Sequence, residues 1–562
     1  MTEEYTNEWD LYQKGVEYKS RINLFKTVED NHRFFQGDQW HGVKAEGLPT
    51  PVFNIIKPVL RYKISTIMQN NVKVRYSCEN YDDKEYDKMC RTAELLSRYG
   101  EQLWEKLKME HLNEEALKDA AISGDGCTYF YYDGEKIRAE IIDNTNVFPS
   151  NTNLADIQEQ EYIIIAFRRS VESVRREAEN NGVPKEDRDR IVSDTEVEYR
   201  AGDMGKIEQD DSAMCTVLLK LWKDKKTNTV RFKKSTRDVV ICDDCDTKCS
   251  LYPVAMFNWE TRKNSFHGVS DVTGLIPNQL YINKIAAMVM LSTMYTAFPK
   301  MVYDENLVDN PSNKIGVAIG VNGADKPISS IIDYISPAHV SSDAFNMFER
   351  TISLTKELMG ANDGALGAIN PERASGKSIL AVMEQSSQPL ESIKRRFYNY
   401  LEDIALIWAD MLHVYMKNSL TVSYTDNDGN TVSEKISGKL FDKLMLTARI
   451  DVGPATRWSE LATVESLDSL LAQQYIPFEW YIELLPKNCG IPKERIAELI
   501  KNSQEQQQMQ QQQQMQMQMQ QAQQAPQLTE DDVLNQMTEE EKQQALKNPE
   551  LLTNKINEMI GK

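Results

Sequence analysis

The stretch that decides the fold is GVSDVTGLIPNQLYINKIAAMVMLSTMYTAFPK, which runs from Gly268 to Lys300. Ser270 or Asp271 can cap a helix at its start, and Pro299 marks its end. The run from Ile285 to Phe298 carries no charge and is shorter than the ~18 residues that a membrane span needs. A helix that is apolar on all sides must be covered by protein. It is therefore either the central helix of a large core or a helix packed against copies of itself in a ring.

The segments that follow predict two more helices separated by irregular chain. Two apolar runs with interspersed glycines in residues 301–340 predict a few strands and turns. SSDAFNMFERTISLTKELMG then predicts a helix over 341–359, with Gly360 as its C-terminal cap. The glycine-rich GANDGALGAINPERASG leads into a third helix over 375–418, whose apolar positions recur every three or four residues. Pro389 is expected to kink or divide that helix.

Residues 1–123, upstream of the strand-rich region, are predicted to be helical. The predicted helices span Trp9 to Phe35, Phe53 to Met68 and Lys88 to Ser123. On the second of these, the pattern places Arg61 and Lys63 on the polar side. Asn54 and Lys57 either contact a neighbouring chain or lie on an exposed helix face, and general burial statistics favour the exposed face.

The pattern changes to strands over residues 124–262. The strongest signal is a hairpin that turns at Asp133-Gly134, and further alternating runs continue to Ile241. The highly charged segment 186–209 is predicted to be exposed and mobile. A β-rich sub-domain therefore lies inside an otherwise helical protein, and the predicted fold class is α+β, mainly helical.

The C-terminal region divides into four parts. Residues 419–455 predict strands, including a hairpin, and residues 456–503 predict two or three short helices separated by prolines. Residues 504–527 are almost wholly Gln and Met. Such a tail is disordered alone, or forms a helical barrel or coiled coil where a ring brings many copies together. Residues 528–562 predict a last helical segment.

The order of these elements resembles that of the portal proteins of tailed bacteriophages. Five elements follow one another as in that family: the helix that begins with GVSD, the small β excursion, the second helix, the glycine-rich loop and the SGKS helix. RFFQGDQW, PVFNIIKPVLRYKISTIM and SGDGCTYFYYDGEKIRAEIIDNTNVFPSN extend the resemblance into the N-terminal half. Together these segments cover most of residues 20–420. The resemblance implies a portal-like fold with wing, stem, clip and crown regions.

The family's regions map onto this chain in order. The resemblance implies a wing at 1–269 (helical 1–123, β-rich 124–262), stem helices at 270–300 and 341–359, a clip at 301–340, a channel loop at 360–374, a long wing helix at 375–418, wing return strands at 419–455 and crown helices at 456–503. It also assigns two sets of residues. The channel-loop set is Asn362, Asp363, Gly364, Ala365, Leu366, Gly367 and Lys377. The stem-packing set is Ile282, Ile285, Val289, Phe345, Phe348 and Ile352.

The resemblance implies a structural virion protein without catalysis of its own. It implies a homo-oligomer, a dodecameric ring, at one capsid vertex, assembled in the host cytoplasm with scaffold and major capsid proteins. Double-stranded DNA would pass through the ring during packaging and ejection. The terminase large subunit, and later head-completion or tail adaptor proteins, would dock on it. No membrane partner is expected.

The charge balance favours a conduit for DNA over a protein that grips it. The chain of 562 residues carries 85 Asp and Glu against 65 Lys and Arg, a formal net charge of -20. A protein that binds nucleic acid tightly neutralises phosphates with basic residues. An acidic wall repels phosphates and leaves few binding minima, so DNA can slide past it. Solubility alone would explain the same acidity equally well.

The cysteines offer the one cluster with metal-binding spacing. CDDCDTKC places Cys242, Cys245 and Cys249 close together, and His267 or Cys215 could supply a fourth zinc ligand. A second CxxC is absent, so structural zinc competes with the simpler interpretation of reduced loop cysteines. Eight cysteines in a chain of this length, with an acidic N-terminus that is no secretion signal, suggest a reducing compartment.

A second motif, ERASGKS, ends like a phosphate-binding P-loop. Pro371 occupies the position of the first glycine, and proline has no backbone amide to offer a phosphate. Nucleotide hydrolysis is therefore rejected.

Two alternatives to the portal interpretation stay open on sequence alone. One is another virion structural protein, such as a minor head or tail-hub component, in which the apolar helix is simply core. The other is a metal-dependent enzyme built on the cysteine cluster.

Overall fold

The computed structural model describes most of the chain. The described residues are 7–45, 47–69, 72–79, 85–194, 214–297, 300–308, 311–312, 319–322, 325–335, 342–360, 388–416, 420–425, 431–436, 438–441, 446–452, 457–473, 475–484 and a few positions between 535 and 553. The chain forms two compact units, Met1–Thr456 and Arg457–Lys562.

The first unit opens with three helices. They are α1 (Asn7–Arg21), α2 (Leu24–Gln36) and α3 (Ile56–Ile67). The single helix predicted from Trp9 to Phe35 is wrong, because Asn23 adopts the left-handed conformation with φ of 56° and divides it. Asparagine tolerates that conformation better than most residues. Apolar periodicity continues across the break, so the pattern alone did not reveal it.

The next helical tract is also divided in two. Helix α4 (Tyr86–Leu107) and helix α5 (Met109–Ser123) meet at Lys108, whose φ is 54°. Both helices bury apolar residues in the main core. A short strand, β1 (Val72–Cys78), precedes α4 and has alternating buried and exposed residues.

Two antiparallel sheets form the β-rich region predicted over residues 124–262. The strands are β2 (Asp125–Tyr132), β3 (Ile137–Ile142), β4 (Val147–Pro149), β5 (Tyr162–Ser170), β6 (Met214–Lys223), β7 (Val230–Ser235), β8 (Val240–Asp246) and β9 (Val254–Asn258). The three-stranded sheet has the order β3-β2-β9, and the five-stranded sheet has the order β4-β5-β6-β7-β8. The hairpin at Asp133-Gly134 is confirmed, since β2 pairs with β3 across that turn.

Two short helices follow β5 on the five-stranded sheet. Helix α6 (Val171–Asn180) is capped by Ser170, and helix α7 (Lys185–Asp189) comes soon after it. Most of the charged segment 186–209 lies outside the described residues.

The apolar stretch that begins at Gly268 forms helix α8 (Asp271–Ala297). The Ser270 hydroxyl accepts a hydrogen bond from the Val272 backbone N–H at 3.0 Å, so Ser270 is the cap. An antiparallel strand pair, β10 (Lys300–Tyr303) and β11 (Ile332–Ile335), follows α8. Helix α9 (Ser342–Leu358) then packs against α8, and Gly360 follows it with φ of 71° as the predicted cap.

The main core is organised around helix α10 (Glu391–Met416). A 3-10 turn at Gln388–Leu390 precedes it. The part of the predicted helix before Pro389 lies outside the described residues, so the expected kink or division there stays a prediction. Trp408 and Ile404 are fully buried, and Trp408 meets Phe130 of β2 edge-on.

After α10 the chain returns to the N-terminal region. Strands β12 (Thr421–Thr425) and β13 (Thr431–Lys435) form the predicted hairpin, and a short helix α11 (Gly438–Phe441) follows. Strand β14 (Leu446–Val452) pairs antiparallel with β1 along its whole length, from Val72↔Val452 to Cys78↔Leu446. The sequence did not predict β1, because its pairing partner lies at the far end of this unit.

The second unit contains helices α12 (Arg457–Ala472), α13 (Phe478–Leu484) and α14 (Glu539–Ala545). The Gln- and Met-rich residues 504–527 lie outside the described residues. No helix of the described chain is both long enough and apolar enough to span a membrane.

Candidate subunit-contact surface and its anchorage

A buried polar joint fixes the start of helix α8. Asp125, at the start of β2, is 1% exposed and accepts four hydrogen bonds. One carboxylate oxygen accepts from the Asn258 side chain and the Gly268 backbone N–H, each at 2.7 Å. The other lies 2.8 Å from His267 Nδ1 and 3.0 Å from Asn144 Nδ2. We call these five residues the anchor joint.

The charge on Asp125 is stable inside the joint. Burial acts to raise the pKa of its carboxyl, but the hydrogen bonds from His267, Gly268 and Asn144 outweigh burial and lower it. Lys19 of α1 approaches the same turn and donates to the carbonyl oxygens of Asn144, Thr145 and Val147 at 2.6–2.9 Å. The joint therefore ties α1, β2 and the start of α8 together.

Glycines let the backbones at the joint approach closely. A Cβ on Gly268 would lie 2.7 Å from the Gly124 carbonyl oxygen and 2.9 Å from that of Glu260. A Cβ on Gly126 would lie 2.4 Å from the Ala116 carbonyl oxygen. Gly124 itself has φ of 100°, which favours glycine. The segments SGDG and HGVSD, which carried part of the resemblance, are therefore the two sides of one packed contact.

An ion pair and a cap reinforce the first turn of α8. Lys63 of α3 is 6% exposed, and its ammonium lies 2.6 Å from the carboxylate of Asp271. The prediction that Lys63 lies on a polar face is wrong, because its partner comes from a distant part of the sequence. The Ser270 hydroxyl also donates to the Ala121 carbonyl oxygen at 2.7 Å.

Polar side chains in the middle of α8 hold an N-terminal strap, residues 51–55. The Gln279 side chain accepts from the Ile55 backbone N–H at 2.9 Å and donates to the Phe53 carbonyl oxygen at 2.8 Å. Asn283 accepts from the Phe53 backbone N–H at 3.2 Å. Gln279 and Asn283 are fully buried, so this side of α8 faces its own chain. Asn54, within the strap, donates to two carbonyl oxygens of α2 in its own chain.

Beyond this strap, α8 is left uncovered. Its exposed apolar residues are Met288, Met290, Met294 and Tyr295, at 39–59% exposure. The packed helix α9 adds exposed residues of the same kind, at 45–80% exposure: Phe345, Met347, Leu354 and Leu358. These eight residues lie on more than one face of the two helices, and together we call them the exposed apolar surface. Residues 285–297 of α8 carry no charge, whereas α9 also carries Asp343, Glu349, Arg350, Lys356 and Glu357. Contact of the α8 part with another protein surface would bury mainly hydrocarbon.

The six residues predicted for stem packing fall into two groups. Ile282 and Ile285 are buried in their own chain, on the side of α8 that the strap covers. The other four are exposed or half-buried: Val289, Phe345, Phe348 and Ile352. Phe348 also meets Phe53 of the strap edge-on, with ring centroids 5.6 Å apart. Along α8, the exposed apolar side chains of the second half therefore lie beyond Ile282 and Ile285, and the role of all six residues in subunit packing stays a prediction.

The predicted channel-loop residues cannot be placed on this surface. Asn362, Asp363, Gly364, Ala365, Leu366, Gly367 and Lys377 lie outside the described residues.

Two cysteines of the cluster, Cys242 and Cys245, lie on edge strand β8, whereas Cys249 lies beyond its end. Between β7 and β8 the register advances two residues from Phe232 to Lys234 but three from Cys245 to Cys242, which is a β-bulge. The extra residue brings Cys242 and Cys245 to the same face, where a disulfide joins them. This pairing differs from the expectation that they stay reduced.

Cys249 is separate from that pair. It is 3% exposed, and burial raises the pKa of its thiol to about 12, which opposes the thiolate form that zinc requires. His267, the predicted fourth ligand, belongs to the anchor joint. Within the described part of the chain, no group of three or more His, Cys, Asp or Glu side chains is placed to hold a metal ion.

A buried histidine beside the anchor joint predicts a pH effect. His32 of α2 is 7% exposed and lies 3.0 Å from the Ser123 hydroxyl, and burial lowers its pKa to about 4. In the unfolded chain His32 becomes protonated near pH 6.5, whereas in the folded chain it stays neutral until about pH 4. The contribution of neutral His32 to the free energy of unfolding is therefore lost as the pH falls from 6.5 towards 4. We expect the wild type to lose roughly 2 kcal/mol between pH 7 and 4.5 relative to His32→Gln.

Urea unfolding of both proteins at the two pH values measures this difference. His41 is exposed, so His41→Gln is the matched control and should follow the wild type. Equal pH dependence for wild type and His32→Gln would contradict the assignment.

An apolar surface held by a rigid polar anchor is typical of a subunit in a larger assembly. Comparison with known protein families identifies the family to which this subunit belongs. The chain belongs to the phage P22-like portal protein family, whose model matches residues 12–548 of the 562. It is thus a portal protein, a structural component of the head–tail connector that serves genome packaging in the bacteriophage virion. No curated protein matches the chain.

Proposed function

We propose that this chain assembles into a closed ring of identical subunits, a dodecamer, which forms the channel for double-stranded DNA at one capsid vertex. The observation that carries the proposal is the exposed apolar surface on α8 and α9. Exposed Met, Phe, Leu and Tyr side chains on two packed helices are costly in water. Complete burial of a fully exposed Met, Leu or Phe side chain contributes about 1.5–3 kcal/mol, and these partly exposed side chains contribute a fraction of that. The occupant is a second copy of the same chain, because a ring presents the surface of every subunit to its neighbour.

The anchorage of α8 supports the same proposal. A ring transmits force from capsid to channel only if its helices keep a fixed direction in each subunit. The anchor joint, the Lys63–Asp271 pair and the strap hold the first half of α8 by buried polar contacts. The second half is then free to pack against neighbours. We propose that α8 and α9 are the stem helices of the ring.

The strand pair β10–β11 fits the role of the clip. It follows α8 directly, and Val302, Tyr334 and Ile335 are about half exposed on it. Apolar side chains on an exposed ribbon suit a docking surface. We propose that the terminase large subunit docks here during packaging and that head-completion or tail adaptor proteins replace it. Scaffold and major capsid proteins would contact the wing.

The acidic balance suits a channel that DNA must traverse. With a formal net charge of -20 per chain, a ring repels phosphates over much of its surface. DNA would therefore move without strong binding minima, and no sequence specificity is expected.

Light scattering and negative-stain electron microscopy of the purified chain test the proposal. Rings of about a dozen subunits with a central hole are expected. A chain that stays monomeric at micromolar concentration, even when mixed with its scaffold protein, would overturn it.

The channel-loop assignment makes a separate prediction. Deletion of residues 362–368 is expected to leave ring assembly intact, because the segment is glycine-rich and lies between predicted helices. Packaging of DNA or its retention in the head should then fail, as measured by nuclease-protected DNA in assembled particles. Loss of the ring itself would instead make the segment structural.

A further inference from the structure

A cavity of about 420 Å³ lies between the two sheets of the β-rich region. Its walls come from β2 and β3 of one sheet, from β5, β6 and β7 of the other, and from helices α6 and α10. None of its lining residues belongs to α8 or α9, so the cavity is independent of the exposed apolar surface. Its volume falls within the range of about 300–1,000 Å³ that is usual for small-molecule sites.

The inner walls of the cavity are aromatic and aliphatic. Tyr129 stacks on Tyr131 with ring centroids 5.6 Å apart, and it also meets Phe167 at 6.0 Å. Val217 and Leu219 of β6 add aliphatic side chains beside Phe167, and both are buried. Burial raises the pKa of the Tyr129 phenol, in keeping with an environment poor in water. Flat rings inserted between these walls would find faces and edges to pack on.

The charged residues of the cavity lie at its rim and are paired with one another. Arg169 and Glu140 are 3.7 Å apart, and both side chains are about half exposed. Lys234 and Glu177 are 2.6 Å apart, with side chains 32% and 42% exposed. A charged ligand would have to break one of these pairs to gain a partner. An uncharged ligand leaves both intact, so the rim selects against charge.

We propose that this cavity binds a compact, uncharged aromatic molecule of one or two fused rings. Such a molecule fits the volume, packs against Tyr129 and Phe167, and leaves the two rim ion pairs in place. Because the walls come from both sheets and from α10, a bound molecule would hold these elements together. Binding should therefore also raise the melting temperature of this unit.

Titration calorimetry of the full chain with 1-naphthol, which is uncharged at neutral pH, tests the proposal. Saturable binding of one molecule per chain is expected. The anion 1-naphthoate and the cation 1-naphthylmethylammonium have nearly the same rings, and each is expected to bind at least tenfold more weakly. Tighter binding of either ion would overturn the choice of an uncharged ligand.

Two neighbouring positions on α6 provide matched variants. Ser173 lines the cavity and is exposed, so Ser173→Trp should plug the opening without disturbing the fold. Glu172 is exposed on the same helix but does not line the cavity. We expect Ser173→Trp to weaken 1-naphthol binding at least tenfold and Glu172→Trp to leave it unchanged. Weak binding to the exposed apolar surface would be equal in both variants.

A second pair probes the inner wall. Val217→Phe fills the cavity from β6, whereas Leu218→Phe places a phenyl ring on the opposite face of that strand, outside the cavity. Only the first should abolish binding, with circular dichroism confirming that each variant is folded. The proposal is overturned if the wild type shows no saturable binding up to millimolar 1-naphthol. It is equally overturned if Ser173→Trp and Glu172→Trp bind it alike.

Discussion

Replacement of Gly268 by alanine is expected to destabilise the first unit by about 3 kcal/mol or more, which is large for the addition of one methyl group. The new Cβ would lie 2.7 Å from the Gly124 carbonyl oxygen, 2.7 Å from Asn258 Cβ and 2.9 Å from the Glu260 carbonyl oxygen. Two of these atoms are backbone, so no side-chain rotation relieves the contact. The chain must move, and movement lengthens the hydrogen bond from Gly268 N–H to Asp125.

Gly274→Ala is the matched control for this prediction. Gly274 lies in the first turns of α8, and a Cβ there would meet no atom within 4 Å. Alanine is the better helix former, so this variant should gain about 0.5–1 kcal/mol. Urea unfolding monitored by tryptophan fluorescence gives both values. A cost below 1 kcal/mol for Gly268→Ala would mean that the anchor joint is looser than the structure describes.

Elements whose signals are local could be predicted from the sequence. Helix α8 is predicted from the uncharged composition of one continuous segment. Its serine cap is predicted from the residue that immediately precedes the helix. The Asp133-Gly134 hairpin depends on two adjacent residues. In each case the residues that set the structure are also the residues that form it.

Contacts between distant segments could not be predicted in the same way. From the sequence alone Lys63 is predicted to be a surface charge, because its partner Asp271 is far away in the chain. Strand β1 is missed for the same reason, because it pairs with the distant strand β14. Asp125 was hidden for the same reason, since its four donors come from three separate segments. A usable signal did exist, because two glycines flank Asp125 and another follows His267. Clustered glycines mark places where backbones approach closely.

Replacement of Met294 by glutamate is expected to abolish ring assembly while leaving each chain folded. Met294 is 51% exposed in the single chain, so a charged side chain there costs the fold little. In the proposed ring the same position would be buried against a neighbour, where an unpaired carboxylate costs several kcal/mol. If the buried carboxylate costs about 3 kcal/mol, the affinity between two subunits falls more than a hundredfold. The same cost applies at every subunit interface of the ring. Light scattering should then report single chains.

Two controls separate burial of charge from other effects. Met294→Leu keeps an apolar side chain of similar volume and should still give rings, since such exchanges usually cost less than about 1.5 kcal/mol. Ser65→Glu adds the same charge at an exposed position of α3 and should also assemble. Rings from Met294→Glu would mean that this half of α8 faces solvent in the assembly. The exposed apolar surface would then lose its role in assembly, although membership of the portal family would stand. Failure of Met294→Leu together with Met294→Glu would instead indicate that the interface depends on the shape of the methionine side chain itself.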